Sequence, residues 1–210
     1  MEDLLIDISK KEFDKQKYVN MVISDEKLRD FIVENMINHP KIMVYYHCFY
    51  LVSDASLKQP KLFYNYWDEI YNLLEHENSY HRDFGLIILA NLASVDNENK
   101  FEGIINEYLE LLHDEKIMTA ETCVKNCFIV ASVKTELCDM IVNRLLELEG
   151  KNYYPEKQMA LMMSFVIEGF ELIIEIYSEK TKLIKFANRH LTSISPKTRN
   201  FASQFVKNYC

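Results

Sequence analysis

The sequence predicts an all-α protein built as an α-solenoid, and three observations carry that prediction. Residues 60–95, PKLFYNYWDEIYNLLEHENSYHRDFGLIILANLASV, and residues 98–133, ENKFEGIINEYLELLHDEKIMTAETCVKNCFIVASV, each read as helix, short polar turn, helix. The two halves align: Leu73 with Leu111, Ala93 with Ala131 and Ser94 with Ser132 at an offset of 38, and His76 with His113 at 37, a one-residue slip inside the turn. Only four Gly and four Pro occur, too few for a turn-rich β-sandwich. A lone helix pair has an apolar face it cannot cover by itself, so stacking successive pairs buries a continuous core.

Each element has a local reason. Residues 3–23 hold one or two short helices forming an irregular end cap, with Leu4, Leu5, Ile8, Phe13, Tyr18, Val19 and Val22 as apolar positions. Ser24 before Asp25 and Glu26 reads as an N-cap for a helix from Asp25 to Ile37. The turn Asn38-His39-Pro40 leads into a second helix from Lys41 to about Ala55, followed by a polar linker, SLKQ. After the two central pairs, Lys134 to Glu149 forms a helix with Gly150 as its C-cap, and the loop KNYY leads to a long helix from Pro155 to about Tyr177. Glu179 to Ser193 and Pro196 to Tyr209 make the last pair, with Ser195 as N-cap. The four prolines, Pro40, Pro60, Pro155 and Pro196, read as helix starts, where a missing N–H leaves no intrahelical partner unsatisfied. The chain therefore reads as one domain over residues 1–210: a cap, 1–23, and repeats at 25–57, 60–95, 98–133, 134–177 and 179–210.

Apolar content of 49% with 27% charged residues is that of a folded soluble protein. Glu168, Glu171 and Glu175 interrupt the long apolar stretch at spacings of three and four, marking an amphipathic packed helix rather than a membrane span. The acidic start, MEDLLIDISKKEF, lacks the basic and apolar regions of a signal peptide. Five cysteines, Cys48, Cys123, Cys127, Cys138 and Cys210, follow no framework spacing and fit a reduced, cytoplasmic compartment.

The repeats resemble the HEAT family, whose motif ends the first helix on leucines, turns on an acidic residue or Asp-Pro, and opens the second helix with Val-Arg and then Ala. Leu73, Leu74 and Arg82 match it in one repeat, Leu111, Leu112 and Asp114 in the next, and Pro196, Thr198, Arg199 and Ala202 in the last. The third repeat lacks the arginine, with Thr119 or Ala120 near that position. The resemblance implies a right-handed α-solenoid of about five HEAT-like helix pairs whose second helices line a concave binding surface. On those helices the residues placed to contact a protein or peptide partner are Tyr46, His47, Tyr50, His81, Arg82, Glu121 and Lys125. Tyr46 and Tyr50 share a helix face four residues apart, and tyrosines anchor peptides by burying large area at little rotamer cost. For Arg82 a structural contact between repeats competes with ligand binding.

Charge is uneven: residues 1–60 carry net −2, 61–150 carry −10 and 151–210 carry +4, which make up the formal −8. The acidic middle repels phosphate backbones, whereas Lys180, Lys182, Lys185, Arg189, Lys197, Arg199 and Lys207 form a basic pole. That pole leaves open nucleic-acid binding of the kind found in HEAT-like alkylpurine DNA glycosylases, for which Trp67 and Asp68 supply an aromatic next to a carboxylate; net charge disfavours it. His76-Glu77 and His113-Asp114 resemble the iron-binding His-Glu pairs of HEAT-like hydroxylases, but both lie in turns, where such residues cap helices. Cys123 and Cys127 share a helix face without completing a four-ligand metal set. With no P-loop, GxSxG, HExxH or dinucleotide fingerprint, the expectation is a non-enzymatic interaction scaffold without cofactor, metal or membrane contact.

Overall fold

A computed structural model describes residues 2–209, and the last cysteine, Cys210, lies outside them. The described residues form twelve α-helices and no strand: α1 Glu2–Ile8, α2 Lys15–Ser24, α3 Glu26–Asn38, α4 Ile42–Lys58, α5 Trp67–Tyr71, α6 Ser79–Leu92, α7 Lys100–Glu110, α8 Ile117–Val133, α9 Cys138–Leu146, α10 Glu156–Ile173, α11 Lys180–Arg189 and α12 Pro196–Tyr209. None is long and apolar enough to cross a membrane. The chain divides into two compact units, Met1–Asn97 and Glu98–Cys210.

In the first unit α4 is the central element, packing against α2, α3 and α6. Phe63, Trp67, Ile70 and Leu73 repeat every three or four residues and are all buried, but the segment carrying them is only partly α-helical. It runs as a 3-10 turn at Pro60–Tyr66, then α5, then a second 3-10 turn at Asn72–Glu75. Gly85 lets α6 come close to this segment, since a methyl there would sit 3.0 Å from Leu74 Cδ2 and 3.2 Å from the Ile70 carbonyl.

In the second unit α10 packs against α8 and α12. Gly169 permits it, because any side chain there would collide with the ring of Phe128. Phe170 sits at the centre, its ring centroid 6.0 Å from Phe128, 5.5 Å from Phe186 and 5.4 Å from Phe205, all edge-on. Glu168, Glu171 and Glu175 are exposed, as the polar stripe requires. Cys48, Cys123, Cys127 and Cys138 are buried free thiols.

Several boundaries differ from expectation. Asp25, not Ser24, caps α3: its carboxylate accepts from the Leu28 N–H at 3.1 Å, while Ser24 ends α2 with its hydroxyl turned back to the Met21 carbonyl. The longer reach and charge of the carboxylate win the position. Pro40 stays in the turn two residues before α4, and Pro155 stands just before α10; only Pro60 and Pro196 occupy first helical turns. The SLKQ linker is helical as far as Lys58, because Ser56 is fully buried and returns its hydroxyl to the Ser53 carbonyl. The long helix stops at Ile173, and Gly150 takes its left-handed conformation, φ 77°, beyond the end of α9. Ser195 does cap α12, accepting from the Thr198 N–H at 3.3 Å.

Two local devices recur. In four turns the residue after the first helix accepts the N–H two positions on: His39 from Lys41 at 3.1 Å, His76 from Asn78 at 3.0 Å, Asp114 from Lys116 at 2.7 Å and Ser193 from Ser195 at 3.3 Å. Their backbone angles are close: φ/ψ of −73/131, −65/140, −52/144 and −52/146. His76 thus corresponds to Asp114, 38 residues on, and the apparent slip against His113 disappears. The second device is an arginine at the fourth residue of a helix that donates to two carbonyls of the preceding turn. Arg29 reaches Val22 and Ile23 at 3.1 and 3.2 Å, Arg82 reaches His76 and Glu77 at 2.7 and 3.1 Å, and Arg199 reaches Ser193 and Ile194 at 2.6 and 3.3 Å.

Candidate functional site

The seven residues singled out from the sequence fall into two groups, one in each unit. In the first unit α4 and α6 place Tyr46 with Tyr50 and Tyr80 at ring-centroid distances of 5.1 and 5.4 Å, both edge-on. Tyr46 is half-buried against Phe84 at 5.6 Å and Phe49 at 6.0 Å, and those two rings stack at 4.0 Å beneath it. Tyr50 and Tyr80 keep 37% and 45% of their surface exposed. Lys15 borders the patch, 5.2 Å from the Tyr50 ring and in an ion pair with Asp54 at 2.8 Å. Burial, then the neighbouring phenols, raises the Tyr46 hydroxyl above its usual range, so that phenol stays uncharged at neutral pH.

His47, His81 and Arg82 lie near this patch but serve the framework. A His47 ring nitrogen bonds the Ile8 carbonyl and the ring packs on Phe13, tying the N-terminal segment to α4. His81 Nε2 donates to the Ile37 carbonyl at 3.1 Å, and its ring stacks on His76 at 4.2 Å. Arg82 holds the turn carbonyls described above.

Burial, and then the neighbouring His76, depresses the His81 pKa below its ordinary 6.5, against a smaller opposing pull from the Ile37 and Met36 carbonyls. The unfolded chain therefore takes up a proton near pH 6.5 that the folded one resists. The stability contributed by neutral His81 is complete above that pH and is lost as pH falls below it. Between pH 7.5 and 5.5 the denaturation midpoint is expected to fall, and to fall less for His81→Gln, which keeps an N–H donor but cannot be protonated. Parallel urea titrations of the two proteins check this.

In the second unit Glu121 and Lys125 stand one turn apart on α8. Glu121 is 8% exposed; burial raises its carboxyl pKa, opposed by the charges of Lys125 and Lys197. The Lys125 ammonium lies 4.0 Å from the Phe165 ring centroid on α10, and the Lys197 ammonium on α12 lies 4.2 Å from the same ring. Beside them a surface cavity of about 300 Å³ opens between α8 and α10, with Ile129, Phe165 and Leu172 on its apolar wall and Glu168 and Glu171 at its edge. Phe165 escaped the sequence reading and Lys197 was grouped with the basic pole. They stand 40 and 72 residues after Lys125, near one and two of the 38-residue offsets seen in the sequence, and lie on α10 and α12.

Other candidates are placed elsewhere. Trp67 is buried in the first unit's core, away from any surface on which an aromatic could meet a lesion. His76 is committed to its turn, and His113 packs on Tyr153 at 4.3 Å. Within the basic pole, Lys180 pairs with Glu175 at 2.5 Å, Lys182 with Glu179 at 2.5 Å and Arg189 with Glu149 at 2.5 Å, so much of its charge is answered locally.

No family model and no curated protein matches the chain. Among solved structures it is similar to two engineered proteins determined by the Northeast Structural Genomics Consortium. One is 13% identical, with 99% of this chain and 95% of that chain covered at a TM-score of 0.50. The other is 14% identical, covering 99% and 97%, also at 0.50. A likeness at such low identity speaks to fold alone, and it runs the length of the chain.

Proposed function

We propose that the chain is a non-enzymatic protein- or peptide-binding scaffold built as a right-handed solenoid of about five HEAT-like helix pairs. The recurrent turn, the recurrent arginine contacts and hydrogen bonds linking residues 38 apart, such as Asn91 to Ser53 and Thr198 to Ala160, support the repeat reading. The observation that carries the binding reading is the Tyr46, Tyr50 and Tyr80 patch. Its rings stand on a stacked aromatic base, so they are already ordered and lose little entropy on binding.

The test is a capture experiment with the Tyr50→Ala/Tyr80→Ala protein beside the wild type, each from nuclease-treated and untreated lysate. A protein recovered in stoichiometric amount by the wild type after nuclease, and reduced at least tenfold by the variant, is the expected result. The substituted rings are the exposed ones, so the denaturation midpoint should hold. Recovery of nucleic acid with only nuclease-sensitive proteins would replace this reading with nucleic-acid binding.

A further inference from the structure

We propose that the face of the second unit carrying Lys125, Phe165 and Lys197 is a docking site for an acidic protein segment, one carboxylate of which sits between the two ammoniums while a large apolar side chain next to it fills the cavity between α8 and α10. The inference rests on reading the chain as an interaction module, and it concerns a surface separate from the tyrosine patch.

Charge is the first argument. Neither Lys125 nor Lys197 takes part in an ion pair among the described residues; both ammoniums instead converge on one phenyl ring, at 4.0 and 4.2 Å from its centroid. Bringing two like charges to one ring is unfavourable unless an anion is shared between them, and the attraction of an exposed ring for each is only about 0.5–1 kcal/mol. Glu121 feels the charge of both, and one carboxylate set against two ammoniums leaves a positive excess around the ring. Arg189, Lys180 and Lys182 in the same unit are answered by carboxylates at 2.5 Å; these two lysines are not.

Shape is the second. The cavity adjoining Lys125 and Phe165 holds about 300 Å³, room for a leucine or phenylalanine side chain, and its wall includes Ile129 and Leu172, exposed to 38% and 53%. Glu168 and Glu171 also line it, so an incoming chain meets carboxylates as well as the Lys125 ammonium along the cavity. The apolar wall suits a side chain rather than a phosphate backbone, and a ring with two ammoniums over it offers no platform for base stacking. A peptide is therefore the occupant that the chemistry fits, rather than a nucleic acid.

A random dodecapeptide display library, selected in parallel on the wild-type protein and on Lys125→Glu/Lys197→Glu, tests the proposal. Both side chains are exposed, so the variant should melt with the wild type by circular dichroism. Wild-type selection should enrich peptides with Asp or Glu within four residues of Leu, Phe, Met or Trp, and a fluorescein-labelled winner should bind the charge-reversed protein at least tenfold more weakly. Replacing the acidic residue of that peptide with Lys should restore binding to the variant and abolish it on the wild type. Winners without acidic enrichment, winners that bind both proteins equally, or no winners at all would overturn the proposal. So would tight binding of a labelled single-stranded dodecanucleotide that depends on the two lysines. If the winners are lost on Tyr50→Ala/Tyr80→Ala but retained on the lysine variant, this site falls while the scaffold reading stands.

Discussion

Replacing Phe170 with alanine is expected to remove about 3–5 kcal/mol from the stability of the second unit, the usual cost of truncating a buried phenylalanine. The ring is fully buried and touches Phe128 on α8, Phe186 on α11 and Phe205 on α12, so a single truncation opens a void shared by four helices. Those helices cannot collapse onto the gap without moving against one another, which places the site toward the costly end of the range. Because the chain has two compact units, the measurement should follow them separately: hydrogen exchange read over residues 98–210 should show the loss, while protection within residues 1–97 reports whether the first unit shares it.

The second large effect comes from adding a single carbon. Alanine is normally the better helix residue by about 1 kcal/mol, so Gly→Ala inside a helix should stabilise. At Gly103 on α7 nothing lies within 4 Å of the added methyl, and Gly103→Ala is expected to stabilise by roughly 0.5–1 kcal/mol. At Gly169 the sign reverses: the methyl would overlap the Phe128 ring, which is itself wedged edge-on against Phe170. Gly169→Ala is expected to cost about 1–3 kcal/mol net, the range for overpacking a dense core. Urea denaturation of the two variants side by side decides it, and a stabilising Gly169→Ala would mean that α8 and α10 are less tightly seated than described.

How much was legible in the sequence can be judged at these same places. Helix existence was readable because burial follows period: Leu183, Phe186 and Ala187 on α11, or Ile167, Phe170 and Ile173 on α10, are buried where a helix puts them. Ends were less readable because caps compete over one residue, as Ser24 and Asp25 do, and because Ser56 looks like a linker residue until its neighbours bury it. The irregular run from Pro60 to Glu75 shows the other limit. Its apolar spacing suits an α-helix or a 3-10 turn equally, and packing chooses. At the candidate sites, the tyrosine pair was visible as neighbours on one helix, whereas the Lys125, Phe165 and Lys197 group joins three helices and shows itself only once they are packed.

The turn shared by His39, His76, Asp114 and Ser193 bears on how such a chain can change over generations. An imidazole, a carboxylate and a hydroxyl perform one task there, each receiving the same main-chain N–H at nearly the same backbone angles. What the four turns have in common is an acceptor at a position in space, and several side chains can supply it. Letters can therefore be exchanged at these turns while the path of the main chain stays as it was, and a comparison that counts letters finds little to hold.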